Sequence, residues 1–492
     1  MRGSSGGVVR GVVAAGHPAT AEAGASVLRA GGNAVDAALA AVLASFTAEP
    51  LLTGLGAGGY LLVAGPGREP VLLDFFVAAP GGSRSAELEP VDISFGGAVQ
   101  VFNVGAASCG VWGMPAGVCA AAERFGTMAL SEVAAPGIAL ARDGVELTPE
   151  QAYLFDILAP IVCSSPEARA HLFASGGPPR IGEAYRDPEL GDALERLAAD
   201  GPAPFYSGDV GSAVREWITA RGGAVTAADL DDYAPVQRTP VRVAYRGREI
   251  VTNPPPSAGG ILLAYALALL DRGAGRGGPA ALVAAMERAQ GERTPDFVAG
   301  LADPGFADAF MAGRLGSTTQ VSALDADGLA CSVTSTNGSG SGVLVPGTGI
   351  HVNNMMGEQD LSPLGFYSHS PGRRLPSMMA PTVVLGDGVP ELVLGSAGSN
   401  RIRSAIVQVI VNVVDGGMAP RAAVDAPRLH FEDGLVYVEP GIDEAALKGR
   451  TLAYFRERNL FFGGVQAVRR DPVTGELSGA GDPRRGGAVV IA

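Results

Sequence analysis

Cysteine and histidine are scarce in this 492-residue chain, which has four of the first and five of the second. Cys109, Cys119, Cys163 and Cys331 show no CxxC or other ligand spacing. So few cysteines in so long a chain argue against a disulfide framework. His17, His171, His351, His369 and His430 are scattered without an HExxH pair, so no metal site is expected. Positive charge is also short, with 36 Lys and Arg against 50 Asp and Glu, for a net charge of −14. No basic stripe is visible, which excludes a nucleic-acid backbone as partner. No window of ~18 apolar residues is free of charge, so no membrane span is expected. The opening "MRGSSGGVVRGVVAAGHPAT" lacks the unbroken apolar run of a signal peptide. The expectation is a cytoplasmic protein.

What is present is burial capacity: 47% hydrophobic residues with only 17% charged, the balance of a globular protein. "HPATAEAGASVLRAGGNAVDAALAAVLASFTAEP" has helical periodicity broken at Gly31-Gly32, with Thr20 expected to cap the first helix and Asn33 or Asp36 the second. "GGYLLVAGPGREPVLLDFF" reads as a hairpin. Residues 120 to 235 read mainly as helices. "VRVAYRGREIVTNPPPSAGG" reads as a strand pair and a rigid loop leading into the helix "ILLAYALALL". Residues 271 to 317 are irregular and form the expected linker. Strands then return in "TTQVSALD", "LACSVTST", "TVVLG", "ELVLGSAG", "LVYVEPG" and "GGAVVIA", around the helix "IRSAIVQVIVNVVDGG". This segregation favours sheets covered by helices over a βαβ barrel.

Thr318 and Thr319 open the first of those returning strands. A threonine hydroxyl is a poor nucleophile near neutrality, because its proton is held too tightly. As the first residue of a chain it gains a base, since its own α-amino group has a pKa near ~8. Thr318 reaches that state only if the Ser317–Thr318 peptide bond is cut. An adjacent hydroxyl can attack that bond, shift the acyl group from N to O, and let water release a new N-terminus. The other reading is that both threonines are β-formers opening a strand.

The surrounding residues bear on this choice. Thr318, Thr319, Ser322, Asp325, Asp327, Gly328 and Ala330 match a "TT-x-x-S-x-x-D-x-D-G-x-A" pattern. Thr334 and Thr336 form a "T-x-T". Gly349, Ile350, Asn353, Asn354 and Met356 follow, then "RRLPSMMAPT", "GSAGSNRI", "APRLH" and "GAGDPRRGG". Upstream, "GLGAGGYLLV", "GMPAGVCAAAERFGTM", "FYSGDV" and "PPPSAGG" continue the likeness in order. Over nearly its whole length the chain resembles the gamma-glutamyltransferases, self-cleaving N-terminal-nucleophile hydrolases. The resemblance implies an α+β fold, the four-layer αββα sandwich. It also implies cleavage into residues 1 to 317 and 318 to 492, which together make one such domain, and no cofactor.

By that resemblance Thr318 processes the chain and then serves as nucleophile, Thr336 orients it, and Gly398 and Ser399 supply oxyanion-hole N–H groups. Ser399 stands where the family has a second glycine. The substrate-holding positions depart further. Phe76 occupies the place of an arginine that grips a carboxylate, and a phenyl ring offers only an apolar or stacking wall. The family's asparagine beyond "T-x-T" is Gly338, or Asn337 with a one-residue shift. Its glutamine is Met355, its amino-group-binding aspartate is Glu358, and its Ser-Ser pair has become Pro376-Ser377. Arg401, Arg403, Arg373 and Arg374 are candidate replacement anion contacts, of which at least two are expected to be structural.

"GLGAGG" (54 to 59) lacks the acidic residue of a dinucleotide site, and close backbone packing explains it better. "DLDDY" (229 to 233) reads as an exposed helix end, not a metal site. The expected function is an amide hydrolase or acyltransferase. It would act on a gamma-glutamyl or related acyl substrate, with water or an amine as acceptor, through an acyl-Thr318 intermediate. The alternatives are a family variant with a non-glutamyl substrate, acylase-like or cleaving a carbon–carbon bond, and a non-catalytic binding protein.

Overall fold

The computed structural model describes residues 8–94, 99–273, 277–291, 319–362 and 365–492. Two antiparallel sheets face each other. The first runs, in spatial order, Ala488–Ile491, Gly11–Ala15, Thr319–Asp325, Ala330–Thr336, Gly58–Gly65, Arg68–Phe75 and Val236–Arg238. The second runs Leu477–Ala480, Gly464–Arg470, Val389–Ala397, Thr382–Gly386, Arg248–Thr252 and Val241–Tyr245. Helices Pro18–Arg29 and Ala34–Ala48 cover the outer face of the first sheet, and Ala258–Arg272 and Arg401–Val414 that of the second. This is the αββα sandwich.

The central strands are buried on both faces, so their alternation sorts two buried environments instead of core from solvent. Val321, Ala323, Cys331 and Val333 join the core under helix Ala34–Ala48. Their neighbours Gln320, Ser322, Ser332 and Thr334 are buried polar residues that meet one another and the second sheet. Gln320 Nε2 donates to Ser332 Oγ at 2.8 Å, and Thr334 Oγ1 donates to Gln320 Oε1 at 2.7 Å. Ser322 Oγ donates to the Gln466 carbonyl at 3.0 Å and Ser332 Oγ to that of Leu394 at 3.1 Å, both in the second sheet. Satisfied polar groups of this kind fix sheet-on-sheet register where plain hydrophobic contact would let it slide.

Two local expectations are corrected. His17, not Thr20, caps the first helix: its Nδ1 accepts from the Ala19 N–H at 3.1 Å, and Pro18 takes the first helical position, where its missing N–H costs nothing. Thr20 instead turns its hydroxyl to Glu49 Oε1 at 3.4 Å. The expected linker contains a helix, Pro279–Gly291, packed on Ala258–Arg272. Its Gly- and Arg-rich flanks hid the periodicity of Leu282, Val283 and Met286. Asn33 and Asp36 cap the second helix reciprocally, as expected. In "GLGAGG", a Cβ at Gly56 would lie 2.2 Å from the His351 carbonyl oxygen. Asp229 of "DLDDY" caps its own short helix and accepts from the Gly81 N–H at 2.9 Å.

Candidate active site

Strands of the two sheets end side by side at one rim of the sandwich, and a pocket opens there. Its empty volume is about 940 Å³, including the part open to solvent. Thr319, from the start of its strand, and Thr336, from the end of the adjacent one, line it. Gly398, Ser399 and Arg401 line it from the turn between strand Val389–Ala397 and helix Arg401–Val414. Ser317 and Thr318 lie outside the described residues.

Thr336 is buried, and its Oγ1 accepts from the Gly338 N–H at 2.8 Å, which fixes the hydroxyl at the strand's end. Gly398 adopts φ +116°, and a Cβ there would meet Gly463 Cα at 2.8 Å, so the turn needs glycine. Ser399 follows at φ +52°, a left-handed conformation that costs a residue with a side chain about 1 kcal/mol. The Gly398 and Ser399 carbonyls accept from Arg401 and Ile402 N–H groups at 3.1 and 3.0 Å. Asn400, buried beside them, donates to Glu432 and pins the turn. The N-terminal end of a 14-residue helix thus points at the pocket, where its dipole favours developing negative charge.

The substrate-side positions divide. Phe76, Gly338, Met355 and Glu358 line the pocket. Phe76 is buried, with its ring stacked on Tyr60 at 5.5 Å between centroids. Leu52, Phe102, Leu154 and Leu158 extend the apolar wall. Asn337 and Ser377 turn elsewhere. Asn337 Nδ2 donates to the His351 carbonyl at 3.2 Å, and Ser377 Oγ accepts from the Met379 N–H at 2.9 Å. Thr336 ends its strand facing the pocket, so the next side chain, Asn337, turns the other way, while Gly338, at φ +67°, lines the pocket with backbone alone.

Of the four candidate arginines, Arg374 and Arg403 are held by the scaffold. Arg374 lies 4.2 Å over the Tyr233 ring and forms an ion pair with Asp74 at 3.5 Å. Arg403 is buried, donating to Gln290 and, at 3.3 Å, to the Asn400 carbonyl. Arg373 ties its own loop to Ala79, whose N–H donates to the Arg373 carbonyl at 2.8 Å. Arg401 lines the pocket, its Nε donating to the Phe461 carbonyl at 3.0 Å.

Sequence reasoning missed a second lining arginine, Arg485, within "GAGDPRRGG". It also missed Glu49, buried at the end of helix Ala34–Ala48. Burial pushes the Glu49 carboxyl up to about 7, against the opposing pull of Thr20 and the Arg485 charge. No local pattern marks either residue; they come together only in three dimensions.

The model of the family described as gamma-glutamyltranspeptidase matches residues 20–309 and 302–492. The chain belongs to the gamma-glutamyltranspeptidase family. Within or beside that family, it is 34% identical to the acylase ACY 1 proenzyme of Pseudomonas sp. (strain V22), over 98% of this chain and 93% of that one. It is 30% identical to the glutathione hydrolase proenzyme of Escherichia coli (strain K12), over 96% of this chain and 90% of that one. Among solved structures, the cephalosporin acylase from Bacillus halodurans superposes with a TM-score of 0.83 at 26% identity, covering 99% and 97% of the two chains. The gamma-glutamyltranspeptidase relatives are thus hydrolases and acylases, and the chain is an enzyme of that hydrolase/transferase kind.

Proposed function

We propose that this protein is a self-processing threonine amide hydrolase of the acylase kind, with an acyl group other than gamma-glutamyl as its preferred substrate. Phe76 carries the reading. A buried, stacked ring in the pocket wall can hold an apolar chain and cannot pair with a carboxylate. The sequence likeness to an acylase proenzyme supports it.

Thr318 is the nucleophile in this proposal. It is bonded to Thr319, a pocket-lining residue. Cleavage at Ser317–Thr318 gives residues 1–317 and 318–492 and frees the Thr318 amine. That amine takes the proton from Oγ1 as the oxygen attacks the substrate carbonyl. The tetrahedral oxyanion is met by the N–H groups of Gly398 and Ser399 at the helix end, and each such donor contributes about 3 kcal/mol in comparable sites. The protonated amine then delivers its proton to the departing nitrogen. Water or an amine discharges the Thr318 ester, and Thr336 holds the nucleophile's orientation.

Mass spectrometry of the purified protein tests the first step. Two fragments are expected, the smaller beginning at a threonine, against one uncut and inactive chain for Thr318→Ala. Active wild-type protein with the 317–318 bond intact refutes the mechanism. Glu358, acidic where the family binds an amino group, favours a second reading in which gamma-glutamyl amides are turned over. Turnover of gamma-glutamyl p-nitroanilide faster than of simple acyl anilides would select it.

A further inference from the structure

A strongly acidic chain has placed two guanidinium groups, Arg401 and Arg485, in the wall of one small pocket against a single lining carboxylate, Glu358. Glu358 belongs to the Gly338 side, its Oε1 lying 3.0 Å from where a Gly338 Cβ would be. Arg485 belongs to the Gly398 side, its Nη2 lying 3.3 Å from where a Gly398 Cβ would be. Its aliphatic stem lies over Gly464, where a Cβ would sit 2.5 Å from Arg485 Cδ. Two glycines therefore make room for this arginine, one from a turn and one from the start of a strand.

The guanidinium so positioned is poorly satisfied. Its Nη2 makes one long hydrogen bond, 3.4 Å to the Leu460 carbonyl. Its Nε is out of solvent and has no acceptor among the described residues. A nearby carboxylate, Asp482, already serves Arg428 Nη2 at 2.7 Å, Arg484 and the Val465 N–H at 2.8 Å. Glu49 faces it too, but burial leaves that carboxyl only partly ionised near neutrality. Burial and the like charge of Arg401 together lower the Arg485 pKa to about 10. A fixed cation without its full complement of acceptors is suited to a planar oxyanion, which guanidinium binds through two parallel hydrogen bonds.

We infer that Arg485 is a specificity-determining residue of this pocket, reading a carboxylate on the amide substrate from the C-terminal turn, opposite in role to the apolar wall of Phe76. This rests on the amide-hydrolase reading above. It replaces the lost arginine at position 76 by one reaching the pocket from a different segment, so the carboxylate sits beside Gly398 instead of beside Phe76.

The test compares anilides carrying a free ω-carboxylate, succinyl to adipyl, with their methyl esters. Wild type is expected to prefer the acids. Arg485→Met should lose about 30-fold in kcat/KM on the acids, mainly through KM, and stay within about threefold on the esters. Arg485→Lys should recover part of the loss. Equal loss on acids and esters through kcat, or no preference for acids in the wild type, overturns the inference while leaving amide hydrolysis standing. Calorimetric titration of the full protein with adipate and with its dimethyl ester supplies a readout without turnover. Binding of adipate that Arg485→Met abolishes, in a protein that hydrolyses no amide, would sustain the arginine's role and sink the hydrolase reading.

Discussion

Arg484 and Arg485 are neighbours in sequence and opposites in environment. Arg484 is fully buried, and its Nε and Nη groups donate to Glu439 at 2.8 and 2.5 Å, to Asp482 at 3.3 Å, and to the Val424 and Ala426 carbonyls, both at 2.9 Å. Glu439 is answered in turn by the Arg428 and Asn459 N–H groups at 2.9 and 3.2 Å. Burial pushes the Asp482 carboxyl up, but Arg428 and Arg484 outweigh it and hold it below the usual range. Arg485, one residue on, has a single long hydrogen bond and a half-ionised carboxyl for company. A saturated arginine is part of the scaffold; an unsaturated one at a pocket wall is available to a ligand.

That contrast can be broken most forcefully at its saturated end. Arg484→Met leaves Glu439 buried without its ion-pair partner and Asp482 with Arg428 alone, and is expected to cost about 3–5 kcal/mol in urea unfolding. If it costs under about 1 kcal/mol, the two arginines are not different in kind. Next in size is the pH response of Glu49. Its folded pKa of about 7 exceeds its ordinary 4.5, so the folded state holds a proton that the unfolded state releases. Stability therefore falls as pH rises through that window, by about 3 kcal/mol in all. Glu49→Gln should remove this fall, seen as a variant that gains on wild type between pH 5 and pH 8. Arg485→Met should change unfolding stability by less than about 1 kcal/mol, since few contacts are lost. Smallest, Ser399→Gly relieves a left-handed serine and should raise stability by under about 1 kcal/mol in thermal melts.

Much of the sandwich was legible because its strands and helices carry strong local signals. The hairpin Gly58–Phe75, the strands after 319 and the helix Arg401–Val414 fall where periodicity and turn residues put them. The site was legible only where a position, not an orientation, was being read. Phe76, Met355, Glu358 and Gly398 reach the pocket. Asn337 misses it because side-chain direction flips one residue past Thr336, and Ser377 because its hydroxyl is held by the Met379 N–H of its own loop. Thr20 lost its capping role to His17 for the sake of Pro18. Arg485 and Glu49 are separated by hundreds of residues and carry no shared motif, so nothing short of the fold joins them.

The first sheet shuffles the two halves of the polypeptide like cards. Strand Thr319–Asp325 has Gly11–Ala15 on one side and Ala330–Thr336 on the other. Gly11–Ala15 is itself flanked beyond by Ala488–Ile491, and Ala330–Thr336 by Gly58–Gly65. A backbone break anywhere between 291 and 319 would therefore free no lobe: parting the fragments means tearing three ladders of this sheet and, in the other, the ladder between Arg248–Thr252 and Thr382–Gly386, so a nicked molecule stays together.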